Sequence, residues 1–134
     1  MDRDYTFGIL KCLYEVHKEL GPGLLESIYE EAVVKELSMN GFHVERQVHV
    51  PVLYKGESIK NDLRLDIIID NKVVLEIKSV VDYKKLFEKQ LYTYLRLTGC
   101  PIGYVVNFNE ESLSKGIHTV YNPYAEESKN SQTP

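Results

Sequence analysis

Leu65-Asp66-Ile67-Ile68-Ile69-Asp70-Asn71-Lys72-Val73-Val74-Leu75-Glu76-Ile77-Lys78 reads as two β-strands joined by a tight turn. The ionisable strand residues, with Arg64 just ahead of them, all carry even numbers: Arg64, Asp66, Glu76 and Lys78. The odd positions Leu63, Leu65, Ile67, Ile69, Val73, Leu75 and Ile77 are all apolar. Side chains alternate across a strand, so each strand is expected to have one apolar face and one face that carries charge. A three-residue turn, Asp70 to Lys72, sets Asp66 directly opposite Glu76; a two-residue turn without a bulge would put them on opposite faces. In the first case two carboxylates and Lys78 converge on one face. Neighbouring carboxylates repel, and a shared divalent cation is a common way to hold them. Glu76 lies in a run apolar enough for a central strand, where an unpaired carboxylate is costly or shifts its pKa. An ion pair with Lys78, two residues along, is the plain structural alternative.

Working outward, Ile9, Leu13, Val16 and Leu20 recur at helical spacing, which predicts a helix over residues 5–20 with Asp4 as its cap. Gly21-Pro22-Gly23 breaks it. A second helix is predicted over residues 24–39, with Leu25, Ile28, Ala32, Val33 and Leu37 on its apolar side and Asn40-Gly41 at its end. Residues 42–54 read as extended, with Pro51 marking an edge position or bulge, and Lys55-Gly56-Glu57 as a turn. Beyond the hairpin, residues 83–98 read as a helix ended by Gly99-Cys100-Pro101, residues 102–108 as a buried strand, and residues 116–121 as a short edge strand. The expected fold is α/β, in the order α-α-β-β-β-α-β, with a mixed central sheet flanked by helices. One domain over residues 1–121 and a polar, disordered tail over residues 122–134 are expected.

The length of 134 residues suits one domain, and a hydrophobic fraction of 43% excludes a disordered chain. No apolar run approaches the ~20 residues of a membrane span. Met1-Asp2-Arg3-Asp4 has no signal-peptide pattern, and Cys12 and Cys100 have no metal-site spacing and suit buried thiols, so the expected location is cytoplasmic. A formal net charge of −4 argues against bulk, non-specific nucleic-acid binding but leaves room for a local basic patch. There is no phosphate-cradling glycine loop, no nucleophile elbow and no Cys/His dyad, so NTP hydrolysis, acyl transfer and redox chemistry have no support.

Asp66 followed by Glu76-Ile77-Lys78 on the next strand, in this element order, resembles the PD-(D/E)xK nuclease superfamily. Gly23-Leu24-Leu25-Glu26-Ser27-Ile28-Tyr29 resembles the motif of the GxxExxY family of small bacterial and archaeal proteins, as do residues 15–22 and Asn107-Phe108. Gln90 and Tyr94 are similar to the Q-x-x-x-Y helix element of the RecB-like branch. The resemblance covers about residues 5–121. Leu65 stands where the superfamily's name has proline. The resemblance implies a restriction-endonuclease-like core and Mg²⁺- or Mn²⁺-dependent hydrolysis of phosphodiester bonds. It implies Asp66, Glu76, Glu26 and the Ile77 carbonyl as metal ligands. Lys78 would position or activate the attacking water or neutralise charge, with Gln90 and Tyr94 completing the catalytic set.

Each residue also has a plainer reading. Glu26 suits the first turn of a helix through the dipole alone. Tyr29 either bonds a carboxylate or packs in the core, and Gly23 supplies either a special backbone geometry or a close approach. Gln90 and Tyr94 suit a helix surface. Arg64, Lys84, Lys85 and Lys89 either contact phosphates of nucleic acid, DNA by preference, or form a solvated face. His17 reads as a core or boundary histidine. The alternative function is a non-catalytic nucleic-acid- or protein-binding module on the same fold. A protein partner or homodimer is compatible with either reading, and a membrane with neither.

Overall fold

The structure, a computed structural model, describes residues 2–59 and 63–125. Helix α1 (Arg3–Leu20) begins two residues earlier than its apolar pattern: Asp2, rather than Asp4, is the cap, its carboxylate accepting the Asp4 amide at 2.9 Å. Helix α2 (Glu26–Met39) follows the glycine-rich break. Its buried side carries Tyr29, Glu30, Val33 and Leu37, whereas Leu25 and Ile28 are exposed. The apolar side read from the sequence was therefore rotated, because Tyr29 and the acidic Glu30 occupy positions on the buried stripe.

Five strands form the main sheet: β1 (Val44–Val50), β4 (Leu63–Ile69), β5 (Val73–Lys78), β6 (Ile102–Asn107) and β7 (Ile117–Tyr121), in that spatial order. Every pairing is antiparallel except β5–β6. A parallel pair needs a crossover, and helix α3 (Leu86–Thr98) supplies it. The predicted extended stretch splits at Pro51, which has no N–H for a ladder. Beyond it β2 (Leu53–Tyr54) and β3 (Glu57–Ser58) make a small separate hairpin. The mixed sheet flanked by helices is the expected α/β, restriction-endonuclease-like architecture.

The β4–β5 turn decides the register. Ile69 pairs with Val73, Ile68 with Val74 and Ile67 with Leu75, which leaves Asp70, Asn71 and Lys72 as the turn. Asp70 and Asn71 take φ of 51° and 56°, and the Lys72 amide donates to the Ile69 carbonyl at 2.8 Å. The Asp70 carboxylate accepts from the Tyr5 hydroxyl at 2.6 Å and the His43 amide at 2.9 Å, which ties the turn to α1 and to the start of β1.

The expectation of one apolar and one charged face per strand is corrected. Ile67, Ile69, Val73, Leu75 and Ile77 pack with α1 and α2, but Ile68 and Val74 are also buried, against Leu91 and Leu95 of α3. Central strands covered on both sides read as continuous apolar runs, and charge survives only where a site needs it. Helix α3 starts at Leu86, three residues later than read, because Tyr83 anchors the preceding loop. Its hydroxyl donates to Glu88 at 3.0 Å and its ring stacks on His118 at 3.9 Å. Residues 122–125 belong to the fold: buried Asn122 donates to the Leu95 and Cys100 carbonyls. The rest of the predicted tail, residues 126–134, lies outside the described residues. Cys12 and Cys100 are buried, as expected. Among the described residues no helix is long and apolar enough to cross a membrane.

Gly103 fixes how closely α3 approaches the sheet. A Cβ there would lie 2.9 Å from the Val74 carbonyl oxygen and 2.9 Å from Leu91 Cδ1. Gly103→Ala is therefore expected to destabilise the fold by about 1–3 kcal/mol, read from urea denaturation.

Candidate functional site

The register brings Asp66 and Glu76 together. Oδ2 of Asp66 accepts the Ile77 amide at 2.8 Å, and Oε1 of Glu76 accepts the Asp66 amide at 3.5 Å. Glu76 is buried and Asp66 half-buried. Among the described residues neither carboxylate forms an ion pair, so the Glu76–Lys78 pair considered from the sequence is not formed. Instead Lys78 Nζ sits 4.4 Å from the centre of the Phe87 ring, a cation–π contact.

The electrostatics follow from burial. Glu76 is pushed up to about 9, first by desolvation, then by the charge of Asp66 and by a side-chain hydrogen bond to it. Asp66 is raised first by desolvation, against the pull of the Ile77 amide and of the hydrogen bond from Glu76; the charge of Glu30 raises it further. The charge of Lys78 lowers both, as the smallest contribution to each. At neutral pH the Glu76 carboxyl of the metal-free protein therefore keeps its proton.

From one side of the sheet, α2 and the loop before it approach the end of β5. Gly23 has φ of 97° with open space where a Cβ would point, so backbone conformation rather than close approach calls for glycine. Tyr29 is fully buried, stacks on Phe108 at 4.5 Å, donates to the Gly21 carbonyl and accepts the Leu24 amide at 3.1 Å. It packs and staples the loop rather than bonding a carboxylate. Glu26 is exposed, and its carboxylate accepts the Ser79 amide at 3.3 Å. Among the described residues no three His, Cys, Asp or Glu side chains gather closely enough to hold a metal, so Glu26 is not brought into one group with Asp66 and Glu76. His17 is a boundary residue, its Nε2 2.8 Å from the Glu110 carbonyl.

The sequence reading missed Glu30. It is 7% exposed, and it binds Arg46 through Nε at 3.1 Å and Nη2 at 2.8 Å, and Gln47 through Nε2 at 2.8 Å. A usable signal was present: Glu30 precedes Val33 and Leu37 at apolar-stripe spacing, and an acid on such a stripe needs a partner. Asn107 was noted only as part of a resemblance. Buried, it accepts the Val80 amide at 3.0 Å and donates to the Val80 carbonyl at 3.0 Å, fixing the exit from β5.

From the other side, Tyr94 of α3 is half-buried and near enough to the pair that its hydroxyl is raised by burial and then by the charges of Glu76 and Asp66. Gln90, one turn earlier, is exposed. Of the four cations read as phosphate contacts, Lys84 pairs with Asp82 at 3.0 Å and Lys85 with Glu88 at 3.5 Å. Arg64 and Lys89 are exposed and form no ion pair among the described residues.

The donor set of Asp66, Glu76 and adjacent backbone carbonyl oxygen fits a hard divalent ion. Mg²⁺ commonly takes one or two carboxylates and completes its shell with water and substrate phosphate. Carboxyls whose charged forms are disfavoured by burial are groups that a cation would relieve.

Compared with known proteins, residues 3–120 match the family model described as the PD-(D/E)XK nuclease superfamily. No curated protein and no solved structure matches significantly.

Because the folded protein holds the Glu76 proton more tightly than the unfolded chain, stability is full below about 4.5 and falls as pH rises towards about 9. Metal-free protein should therefore lose melting temperature across that window. Glu76→Gln should flatten the dependence, which thermal denaturation at a series of pH values would reveal.

Proposed function

The chain belongs to the PD-(D/E)XK nuclease superfamily, and on that premise we propose that it hydrolyses phosphodiester bonds in nucleic acid, DNA first, using Mg²⁺ or Mn²⁺ held by Asp66, Glu76 and the Ile77 carbonyl. The observation that carries this reading is the Asp66–Glu76 pair, a half-buried carboxyl beside a buried one, in a register that a structural hairpin does not require. The Gly23–Tyr29 motif supports membership of the GxxExxY family, and Gln90 with Tyr94 supports the RecB-like branch.

The bound ion would supply Lewis acidity and charge neutralisation at the scissile phosphate. Asp66 and Glu76 would contribute the anionic oxygens that hold the ion, Glu76 in its deprotonated form. Lys78 offers an ammonium to the negative charge that develops on the phosphate, with the Phe87 ring restricting where Nζ sits. Tyr94 is within electrostatic reach of both carboxyls and suits a hydrogen bond to substrate or carboxylate. Exposed Gln90, Arg64 and Lys89 suit contacts to the phosphate backbone, with Lys84 and Lys85 contributing only when released from their acids. Glu26 holds Ser79 and stands outside the ligand set. The buried cysteines Cys12 and Cys100 suit a cytoplasmic setting.

Calorimetry with Mn²⁺ tests the ligand assignment. Wild-type protein should bind with release of a proton near neutral pH, seen as a dependence of the apparent enthalpy on buffer. Asp66→Asn and Glu76→Gln should each weaken binding by about tenfold or more, while Glu26→Ala changes it by less than about threefold.

In a cleavage assay on mixed DNA and RNA substrates, Lys78→Ala should keep the ion and lose about a hundredfold or more in rate. A wild-type protein that neither binds Mn²⁺ at millimolar concentration nor cleaves any substrate would overturn the catalytic reading in favour of a binding module.

A further inference from the structure

Four non-glycine residues among those described have positive φ. Lys55, Asp70 and Asn71 lie in turns, but Gln47, at 52°, lies inside strand β1. Side chains resist that region of backbone space, and a residue held there within a strand marks a constraint imposed from elsewhere. The β1–β4 ladder pairs Arg46 with Ile67 and Val48 with Leu65, and between these rows, where Gln47 stands opposite Asp66, the regular pairing lapses.

The sheet changes sides at that row. Val44, Ile67 and Ile69 pack with α1 and α2, whereas Val48, Val50 and Leu65 pack with α3. An unbroken strand would keep Leu65 and Ile67 on one face. The register is the same on either side of the break, so no residue is inserted; the break turns the strands locally and re-aims the side chain on its row, which on β4 is Asp66.

What holds the break is on α2. One oxygen of buried Glu30 accepts Gln47 Nε2 at 2.8 Å, and the other accepts Arg46 Nε and Nη2 at 3.1 and 2.8 Å. Both oxygens of one carboxylate are thus used on two consecutive residues of β1. Only a carboxylate offers acceptors to both at once, since an amide would turn an N–H towards one of them.

We infer that Glu30, Arg46 and Gln47 form a positioning network that fixes the break in β1 opposite Asp66 and thereby turns the Asp66 carboxylate towards β5. There it accepts the Ile77 amide at 2.8 Å, beside Glu76. The three residues act through Asp66 and touch no reacting atom. The functional consequence rests on the metal-site reading above; the orientation of Asp66 does not.

The test uses the full chain, labelled with ¹⁵N and metal-free, and reads the exchange protection of the Ile77 amide, which reports the Asp66 carboxylate directly. Asp66→Ala defines complete loss. Gln47→Val removes the bond to Glu30 and resists positive φ while favouring a strand; Gln47→Gly removes the same bond but accepts positive φ freely. The expected result is loss of Ile77 protection by about tenfold in Gln47→Val and in Glu30→Gln, against less than about threefold in Gln47→Gly. Adding Gln47→Gly to Glu30→Gln should restore what Glu30→Gln lost. A merely structural hydrogen bond would show the reverse, with glycine the worse replacement.

Mn²⁺ affinity, measured on the same variants, should follow the same order. Wild-type Ile77 protection in Gln47→Val, or failure of the glycine to rescue Glu30→Gln, overturns the network; the second comparison decides the matter even where Gln47→Val does not fold. Ile77 protection that follows the expected order in a protein that binds no Mn²⁺ supports the network and sinks the metal site instead.

Discussion

Everything in this molecule is arranged around two carboxyl groups whose burial disfavours their charged forms. The three-residue turn at Asp70 sets the register, and the register puts Asp66 beside Glu76 in a sheet covered on both faces. In that setting desolvation raises the hold of both carboxyls on a proton, and the charge of Asp66 raises that of Glu76 further. The pair can settle the conflict by keeping a proton or by accepting a cation. A protein selected only for stability would put apolar residues there, because matched apolar packing is at least as good as a buried polar pair.

The two layers of helix contribute differently to that pair. Helix α1, the loop after it and α2 grip the far end of β5. Tyr29 staples the loop through Gly21 and Leu24, Glu26 takes the Ser79 amide, and Ser79 Oγ donates to the Leu24 carbonyl at 2.6 Å. Asn107 takes both backbone groups of Val80. Lys78, the last residue of β5, is thus held from two directions by groups that touch no phosphate. Helix α3 closes over the other face, with Phe87 under the lysine and Tyr94 near the acids. The motif that carries the family resemblance is, in this geometry, chiefly a clamp on the strand end.

The parts of this architecture that could be read from sequence are those set by short-range periodicity and by turn chemistry. The Asp-Asn-Lys turn, the two N-terminal helices, the crossover helix and the buried β6 all follow from patterns a few residues long. What escaped the reading depends on contacts distant in the chain. Ile68 and Val74 break no local rule, and only α3, packed from beyond the hairpin, decides that their face is buried. The start of α3 was misplaced because Tyr83 has helical spacing but is spent on His118 and Glu88. The positive φ of Gln47 has no local signature, since glutamine is not a residue that seeks that conformation; its partner Glu30 stands 17 residues away.

Glu30 and Glu76 are buried and Asp66 half-buried, and each is compensated in a different way. Glu30 has permanent partners in Arg46 and Gln47, and its charge is matched. Asp66 has the Ile77 amide, a dipole that favours its charged form without cancelling the charge. Glu76 has neither an ion pair nor a strong backbone donor, and it meets burial by keeping a proton. A permanent cationic partner for Glu76 would have been the simplest stabilising solution, and Lys78 is close enough in sequence to have supplied it. Its ammonium is held over Phe87 instead. The arrangement thus keeps one acidic group protonated but displaceable and one cation uncommitted, side by side. Such a pair is poised to exchange a proton for a metal ion on one residue and to meet an anionic substrate on the other.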